Sequence, residues 1–210
     1  IYLNLKNKKI NNNKDFIVFL DQNLPQHTDY SLLSVPNFIK EDYYINLQKF
    51  LINLETTFNK KVLFCAHPRT KTNAKYLKYF KRVVFGKTAE KIQNCYMVVG
   101  HDSLALNIAV LFKKPILLVK TPEMNLSNKS SNIDYFASET DCNICNIHDT
   151  KLDFLKKKNK INYKKYKKYI KKYIKFKGKE INSWEIVKNY INENKKNYKK
   201  SNYKINFFNY

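Results

Sequence analysis

The order in which apolar runs follow one another is the feature of this sequence that most restricts its fold. Between residues 15 and 120, short continuous apolar runs alternate with segments whose apolar residues recur at helical spacing. Continuous apolar runs are typical of strands that are covered on both faces, and their alternation with helices is the pattern of βαβ units. The sequence therefore predicts an α/β, Rossmann-like domain, with a mainly parallel sheet of five or six strands covered by helices.

The predicted elements can be placed along the chain from this pattern. Strands are expected at residues 15–20, 61–66, 82–85, 96–99 and 115–119, followed by an edge strand at 142–147. Helices are expected at residues 41–58, 72–80, 87–94 and 104–112. Residues 121–141 are polar and rich in turn-forming side chains, which predicts a loop with at most a short helix.

Charge divides the chain into two parts. The formal net charge is +23, of which residues 151–204 contribute +16 and the first 150 residues +7. We therefore predict a sheet domain at residues 1–150 and a basic, Lys/Tyr-rich helical extension at 151–210. Within the extension, helices are expected at 156–177 and 183–193, followed by a frayed tail from residue 194.

The spacing of tyrosines among the lysines of residues 156–177 predicts a basic amphipathic helix, which has three interpretations. Its tyrosines can pack on the sheet domain, it can contact an anionic membrane surface, or it can bind nucleic acid. Packing is favoured first and membrane contact second. Nucleic acid is the least favoured partner, because no recognisable nucleic-acid-binding module accompanies the charge.

The termini and cysteines bear on location and metal content. The chain begins with Ile1, so we expect that a partner domain precedes it in the natural protein. No secretory signal and no apolar run of the roughly 18 residues that a membrane span needs is found, and a cytoplasmic protein is expected. Cys142, Cys145 and His148 have the spacing of half a zinc site, but a second ligand pair is missing, so no metal is expected.

Polar residues follow the predicted strands where an open parallel sheet binds its ligands, at the carboxyl ends. They are Asp21 and Gln22, His67 to Thr70, Gly86 to Thr88, and His101 to Ser103. The last group leads into a helix, so the amides of residues 103–105 can bind a phosphate. His67 and Arg69 can donate hydrogen bonds to the same anion. An ordinary helix cap and a structural histidine remain the alternatives to this interpretation.

Several of these runs together resemble a known family. Residues 64–70 (FCAHPRT), 85–92 (FGKTAEKI), 98–109 (VVGHDSLALNIA) and the Lys114-Pro115-Ile116 run are similar to the donor-binding domain of bacterial surface-polysaccharide glycosyltransferases with the GT-B architecture. The similarity is greatest to sialyltransferase-like enzymes with a His-Pro motif and a later Ser/Thr pair. It covers about residues 15–120.

The resemblance implies a nucleotide-sugar donor, plausibly CMP-linked, a surface-glycan acceptor, and no metal or cofactor. His67 would be the catalytic residue that contacts the donor phosphate and assists departure of the nucleotide. Ser103 matches the Ser/Thr pair, whose second member is replaced here by Leu104, with the loss of one hydroxyl donor. The remaining implied contacts are Arg69 and His101 to the phosphate, and Asp21, Gln22, Gly86, Lys87 and Thr88 to the nucleotide or sugar.

Two kinds of alternative function stay open. A polyol-phosphate transferase of the teichoic-acid type would use the same phosphate-binding edge of the sheet. A non-catalytic protein that binds nucleotides or nucleic acid is the other. For the glycosyltransferase interpretation, we expect a cytoplasmic location, with peripheral contact to the inner face of the membrane.

Overall fold

Six parallel strands form a single sheet. The structure is a computed structural model that describes residues 2–7, 15–26, 40–126, 129–175 and 181–200. The strands are β1 (Phe16–Leu20), β2 (Lys61–Cys65), β3 (Val83–Val84), β4 (Met97–Gly100), β5 (Ile116–Lys120) and β6 (Asn143–Asn146). Their order across the sheet is β3-β2-β1-β4-β5-β6, and every neighbouring pair is parallel. The predicted Rossmann-like α/β fold is therefore confirmed.

The strand order fixes where a ligand can bind. From β1 the chain proceeds outward through β2 and β3, returns to pair β4 with β1, and then proceeds outward on the other side. The connections therefore diverge between β1 and β4, and a crevice opens at the carboxyl ends of these two strands.

Eight α-helices are described. They are α1 (Tyr2–Lys6), α2 (Lys40–Phe58), α3 (Thr88–Asn94), α4 (Leu106–Leu111), α5 (Lys129–Thr140), α6 (Phe154–Lys158), α7 (Tyr163–Tyr169) and α8 (Ser183–Lys200). Three 3₁₀ turns lie at Leu24–Gln26, Lys75–Tyr79 and Pro122–Leu126, and a π-helical turn at Ile170–Ile174 follows α7 directly. Helix α2 is the helix predicted at 41–58, whereas the helix predicted at 72–80 is only a 3₁₀ turn.

The core is built from the central strands and the apolar face of α2. Ile17, Val18 and Phe19 of β1 are fully buried, as expected for a strand covered on both sides. Helix α2 buries the apolar residues that recur at helical spacing, namely Tyr43, Tyr44, Leu47, Phe50, Leu51 and Leu54. The periodicity of the sequence thus identified the face of α2 that lies on the sheet.

Two predicted segments differ in the structure. The described part of residues 121–141 is not a loop, since it contains the 3₁₀ turn Pro122–Leu126 and the 12-residue helix α5. Only one apolar side chain of α5, that of Ile133, is fully buried, so the helix has too little apolar periodicity to be recognised. The predicted helix 156–177 is also interrupted, between α6 and α7.

The extension begins later than predicted. Contacts within the chain group residues 1–170 in one compact unit and residues 171–210 in a second, so the boundary lies after residue 170 rather than after 150. The reason is the packing of α7. Tyr166 donates a hydrogen bond to the Lys114 carbonyl (3.0 Å), and Tyr169 donates one to Asn107 Oδ1 (3.0 Å). Both tyrosines are buried, as the favoured packing interpretation requires.

The second unit contains α8, which continues to Lys200 and so is longer than the predicted 183–193 helix. The frayed tail expected from residue 194 is helical up to Lys200, and residues 201–210 lie outside the described part of the chain. Several large apolar side chains of α8 are exposed, namely Trp184, Val187, Tyr190 and Ile191. Across the described residues, no helix is both long enough and apolar enough to cross a membrane.

Candidate functional site

A cleft of about 470 Å³ lies at the carboxyl ends of β1, β2 and β4, where the strand order predicts a ligand site. Its volume is within the range of small-molecule sites, roughly 300–1,000 Å³. Both His67 and Ser103 line it, so the structure brings together the two residues on which the predicted phosphate site depends. The other lining residues are Leu20, Asp21, Gln22, Cys65, Ala66, Pro68, Thr88, Asp102, Leu104, Ala105 and Lys129.

His67 directly follows the end of β2 and is held by its backbone and its ring. The Thr70 amide donates to the His67 carbonyl (2.8 Å), which closes a turn, and the Arg69 amide donates to His67 Nδ1 (3.2 Å). Because Nδ1 accepts a hydrogen bond, the proton of the neutral ring lies on Nε2. Among the described residues, Nε2 has no hydrogen-bond partner. The half-buried ring therefore offers one N–H donor to the cleft.

Asp21, which lines the cleft, connects the ends of β1 and β2. Its side chain accepts hydrogen bonds from the amides of Asn23 (2.8 Å) and His67 (3.1 Å) and from the Tyr76 hydroxyl (3.2 Å). Burial raises the pKa of the Asp21 carboxyl above its ordinary value, while these hydrogen bonds act in the opposite direction. A nucleotide or sugar that contacts Asp21, as predicted, would have to compete with these three hydrogen bonds for the carboxylate oxygens. The hydrogen bond from the His67 amide positions His67.

Gln22 joins β1 to the turn that follows β4. Its Oε1 accepts a hydrogen bond from the Asp102 amide (2.8 Å), and its Nε2 donates one to the Asp102 carbonyl. Two positions earlier on each side, Gly100 pairs closely with Leu20, since a Cβ on Gly100 would lie 3.3 Å from the Leu20 Cβ. The turn thus engages one N–H and one lone pair of the Gln22 side chain, and the predicted ligand contact of Gln22 would have to use the second N–H or the second lone pair of Oε1.

The turn that leads into α4 has two available amides rather than three. Ser103 Oγ accepts a hydrogen bond from the Ala105 amide (3.3 Å), and the Leu106 amide donates to the Ser103 carbonyl (2.9 Å). In the part of the chain that the structure describes, the amides of Ser103 and Leu104 have no partner. The Leu104 side chain is 87% exposed and cannot donate, so only its amide can contribute to anion binding.

The predicted phosphate contact of the His101 side chain is wrong. The imidazole is fully buried, with Nδ1 donating to the Val119 carbonyl (2.6 Å) and Nε2 accepting from the Tyr43 hydroxyl (2.9 Å). Burial lowers the pKa of His101 to about 4, so the ring is neutral at neutral pH. His101 therefore anchors the turn after β4 to β5 and α2, and it does not reach the cleft.

Three other predicted site residues do not line the cleft. Arg69 lines a separate groove, and the predicted phosphate contact of its side chain is not supported by this arrangement. Gly86 and Lys87 form the turn before α3 with left-handed backbone conformations (φ of 62° and 51°), and neither lines the cleft. Thr88, the first residue of α3, does line it, as predicted.

The structure adds two polar residues that the sequence did not indicate. Lys129 lines the cleft from the start of α5, and Asn132 of the same helix donates a hydrogen bond to Asp102 Oδ2 (2.9 Å). Both residues fall in the segment that was predicted as a loop, so no pattern in the sequence could have placed them.

The cysteines do not form a metal centre within the described ranges, where no cluster of three or more His, Cys, Asp or Glu side chains occurs. Cys145 is buried in β6, and Cys142 contacts the hydroxyls of Thr140 and Tyr166.

Comparison with known proteins does not extend this description. No protein-family model matches the chain, and no curated protein matches it at a significant level.

Proposed function

We propose that this chain is the donor-binding half of a glycosyltransferase, which transfers a sugar from a nucleotide donor, plausibly CMP-linked, to a surface glycan. The observation that carries the proposal is the arrangement of three N–H donors on residues that line one cleft. These are His67 Nε2–H and the amides of Ser103 and Leu104. Such donors suit a phosphate oxygen that gains negative charge as the sugar departs.

In this proposal the catalytic residue is His67. Its Nε2–H donates a hydrogen bond to the phosphate of the leaving nucleotide and stabilises the charge that develops there. Asp21 fixes the His67 backbone, and the Arg69 amide fixes the ring through Nδ1. The Ser103 and Leu104 amides bind the same phosphate, and Lys129 adds a positive charge at the mouth of the cleft. An acceptor and a general base from a further domain complete the site.

The family pattern departs at Leu104, which leaves one hydroxyl donor fewer. The backbone amide of Leu104, which any residue other than proline would carry, does not replace that hydroxyl. Asp102 lies in the same cleft and opposes anion binding, but its hydrogen bond from Asn132 holds the carboxylate in place. We expect a weak affinity for the nucleotide as a result, in the micromolar range or weaker.

Titration calorimetry with CMP, CDP and UDP tests the proposal. CMP should bind selectively, and His67→Ala should weaken its binding by about 10-fold or more, since a hydrogen bond to a charged group contributes about 1.5–3 kcal/mol. The matched control is His148→Ala, because His148 is exposed and outside the cleft. Equal binding of the three nucleotides, or CMP binding unchanged in His67→Ala, would contradict the assignment.

Titration with oligonucleotides at several salt concentrations distinguishes the transferase from the nucleic-acid-binding alternative. Tight and strongly salt-dependent binding of any oligonucleotide through residues 151–204 would favour a nucleic-acid binder over a transferase. The polyol-phosphate alternative is tested by comparing hydrolysis of a CMP-sugar with that of a CDP-polyol.

We also propose a peripheral membrane location for a cytoplasmic protein, with the contact moved from residues 156–177 to α8. The tyrosines of α7 are engaged in packing, whereas α8 exposes Trp184, Val187, Tyr190 and Ile191 at helical spacing. Residues 171–210 contain 11 lysines and three glutamates, which attract an anionic surface.

Trp184 is the only tryptophan of the chain and is 78% exposed, so its fluorescence reports on this contact. Vesicles that contain phosphatidylglycerol should shift its emission to shorter wavelength, and pure phosphatidylcholine vesicles should not. Ile191→Asp should abolish the shift, whereas Asn192→Asp, an equal change of charge at an exposed polar position, should largely retain it. A shift that persists in Ile191→Asp would exclude insertion of this face.

A further inference from the structure

A second concavity, which we call the basic groove, lies beside the cleft. It has a volume of about 660 Å³ and is lined by the start of α2, the turn after β2 and the 3₁₀ turn Lys75–Tyr79. Among the described residues, the groove and the cleft have no lining residue in common. They adjoin at one turn, because His67 and Pro68 line the cleft while Arg69 and Thr70 line the groove.

Positive charge dominates the lining of the basic groove. Arg69, Lys71, Lys75 and Lys78 all line it and are exposed. Within the described ranges of the chain, none of the four forms an ion pair. The one carboxylate in the lining, Glu41, accepts a hydrogen bond from the Tyr79 hydroxyl (2.8 Å). Four cations around a concavity with one carboxylate raise the local concentration of anions.

The floor of the groove is rigid. The rings of Tyr44 and Tyr76 stack with centroids 4.3 Å apart and an interplanar angle of 3°, and both side chains are buried. The Tyr76 hydroxyl is hydrogen-bonded to Thr70 Oγ1 (2.7 Å) and donates to Asp21 Oδ2 (3.2 Å). The tyrosines therefore hold in place the β2 turn that lines the groove.

The same tyrosines restrict what can bind. Single-stranded nucleic acids are held largely by bases that stack on open aromatic faces. The faces of Tyr44 and Tyr76 are occupied by each other and by the core, and the Lys78 ammonium lies 5.2 Å from the ring centre of Tyr79. Recognition in the groove thus depends on charge and on hydrogen bonds from side chains such as Asn73, which suits a polar, hydroxylated anion better than a base.

We propose that the basic groove binds an acidic sugar of the acceptor glycan, through the carboxylate or phosphate that the sugar carries. This inference rests on the proposed transferase function, which requires an acceptor close to His67. The groove adjoins the turn that carries His67, and its volume accommodates a ligand of oligosaccharide size. The four cations bind the acidic group, and the hydroxyl and amide groups of the lining bind the sugar hydroxyls.

Titration calorimetry at low salt provides the test, with sialyllactose as the carboxylate probe, a phosphorylated lactose as the phosphate probe and lactose as the neutral reference. At least one acidic probe should bind, and lactose should bind more than about 10-fold more weakly. The double variant Lys75→Gln/Lys78→Gln should weaken acidic-sugar binding by about 10-fold or more. The control Lys167→Gln/Lys168→Gln removes two exposed lysines of α7, outside the groove, and should retain full binding.

Binding in the groove and binding in the cleft can be tested separately. CMP binding should be unchanged in Lys75→Gln/Lys78→Gln, and acidic-sugar binding should be unchanged in His67→Ala. If CMP fails to bind while the acidic sugar binds through the groove lysines, the transferase function fails and the anionic site stands. Equal binding of lactose and sialyllactose, equal losses in the two lysine pairs, or tighter binding of a short oligothymidylate through Lys75 and Lys78 would overturn the acidic-sugar proposal. Circular dichroism and thermal unfolding verify that each variant is folded.

Discussion

A buried neutral histidine should make this protein lose stability in mildly acidic solution. His101 is 0% exposed and uses both ring nitrogens, one to the Val119 carbonyl and one to the Tyr43 hydroxyl. Its ring also meets the edge of Phe19, with centroids 5.7 Å apart. Protonation of the ring would remove the acceptor that Tyr43 uses and would place a charge in an apolar environment. The folded state therefore resists a proton that the unfolded chain accepts.

The size of the effect follows from the pKa difference. The ordinary pKa of histidine is 6.5, and burial lowers that of His101 to about 4 in the folded state. Stability is complete above pH 6.5 and is lost as pH falls toward 4, because only the unfolded state binds the proton in this window. Each pH unit costs about 1.4 kcal/mol at most, so the whole window costs about 3 kcal/mol. Asp21 has the opposite sign, because burial raises its pKa and the folded state then retains a proton that the unfolded carboxyl has released.

Urea unfolding of the wild type and of His101→Asn between pH 7.5 and 4.5 measures the effect. The variant keeps an N–H donor but does not titrate, so its profile retains the Asp21 contribution and loses that of His101. We expect the variant to be less stable at pH 7.5, by about 1–3 kcal/mol, and the difference to shrink as pH falls. His148→Asn, at an exposed histidine, is the matched control and should leave the profile unchanged. Parallel profiles for the wild type and His101→Asn would refute the reasoning.

Two further predictions concern contacts that hold the helices and strands together. Tyr166→Phe should lower the free energy of unfolding by about 1–2 kcal/mol, because it leaves the buried Lys114 carbonyl without this donor, whereas Tyr163→Phe, at a side chain that is 61% exposed, should have little effect in the same urea titration. Gly100→Ala should lower the free energy of unfolding by about 1–3 kcal/mol, because the new Cβ would lie 3.3 Å from the Cβ of Leu20, which strand pairing holds opposite Gly100. An unchanged urea midpoint would show that the sheet can move to accommodate the methyl group.

The parts of the fold that the sequence predicts are those with strong apolar periodicity. β1 and α2 bury most of their apolar residues, so their patterns contain the signal of a covered strand and of an amphipathic helix. Helix α5 covers the sheet with Ile133 as its one fully buried apolar residue, and its formation depends on tertiary contacts. The interruption between α6 and α7 spans only residues 159–162 and is flanked by lysines on both sides, so the charge pattern does not mark it.

For the candidate site, the sequence predicts which strand ends supply residues but not which way each side chain is directed. His67 follows strand β2, and His101 follows strand β4. Only the structure shows that His67 lies in the cleft and His101 in the core. The partners that decide this are distant in sequence. Tyr43 and Val119 hold His101, while Asp21 and the local turn hold His67. Such long-range hydrogen bonds leave no local pattern in a single sequence.

The two concavities differ in charge more than in size, and this difference determines how each can hold an anion. The cleft contains the carboxyl groups of Asp21 and Asp102 beside Lys129, so a phosphate there must be held by oriented neutral donors at short range. The basic groove contains four cations and one carboxylate, and its attraction extends over the screening length of the solution, about 10 Å at 0.1 M salt. Added salt should therefore weaken acidic-sugar binding in the groove far more than CMP binding in the cleft. Because an acceptor attracted by charge and a donor held by geometry respond to different variables, one protein can bind both at adjacent sites without either anion displacing the other.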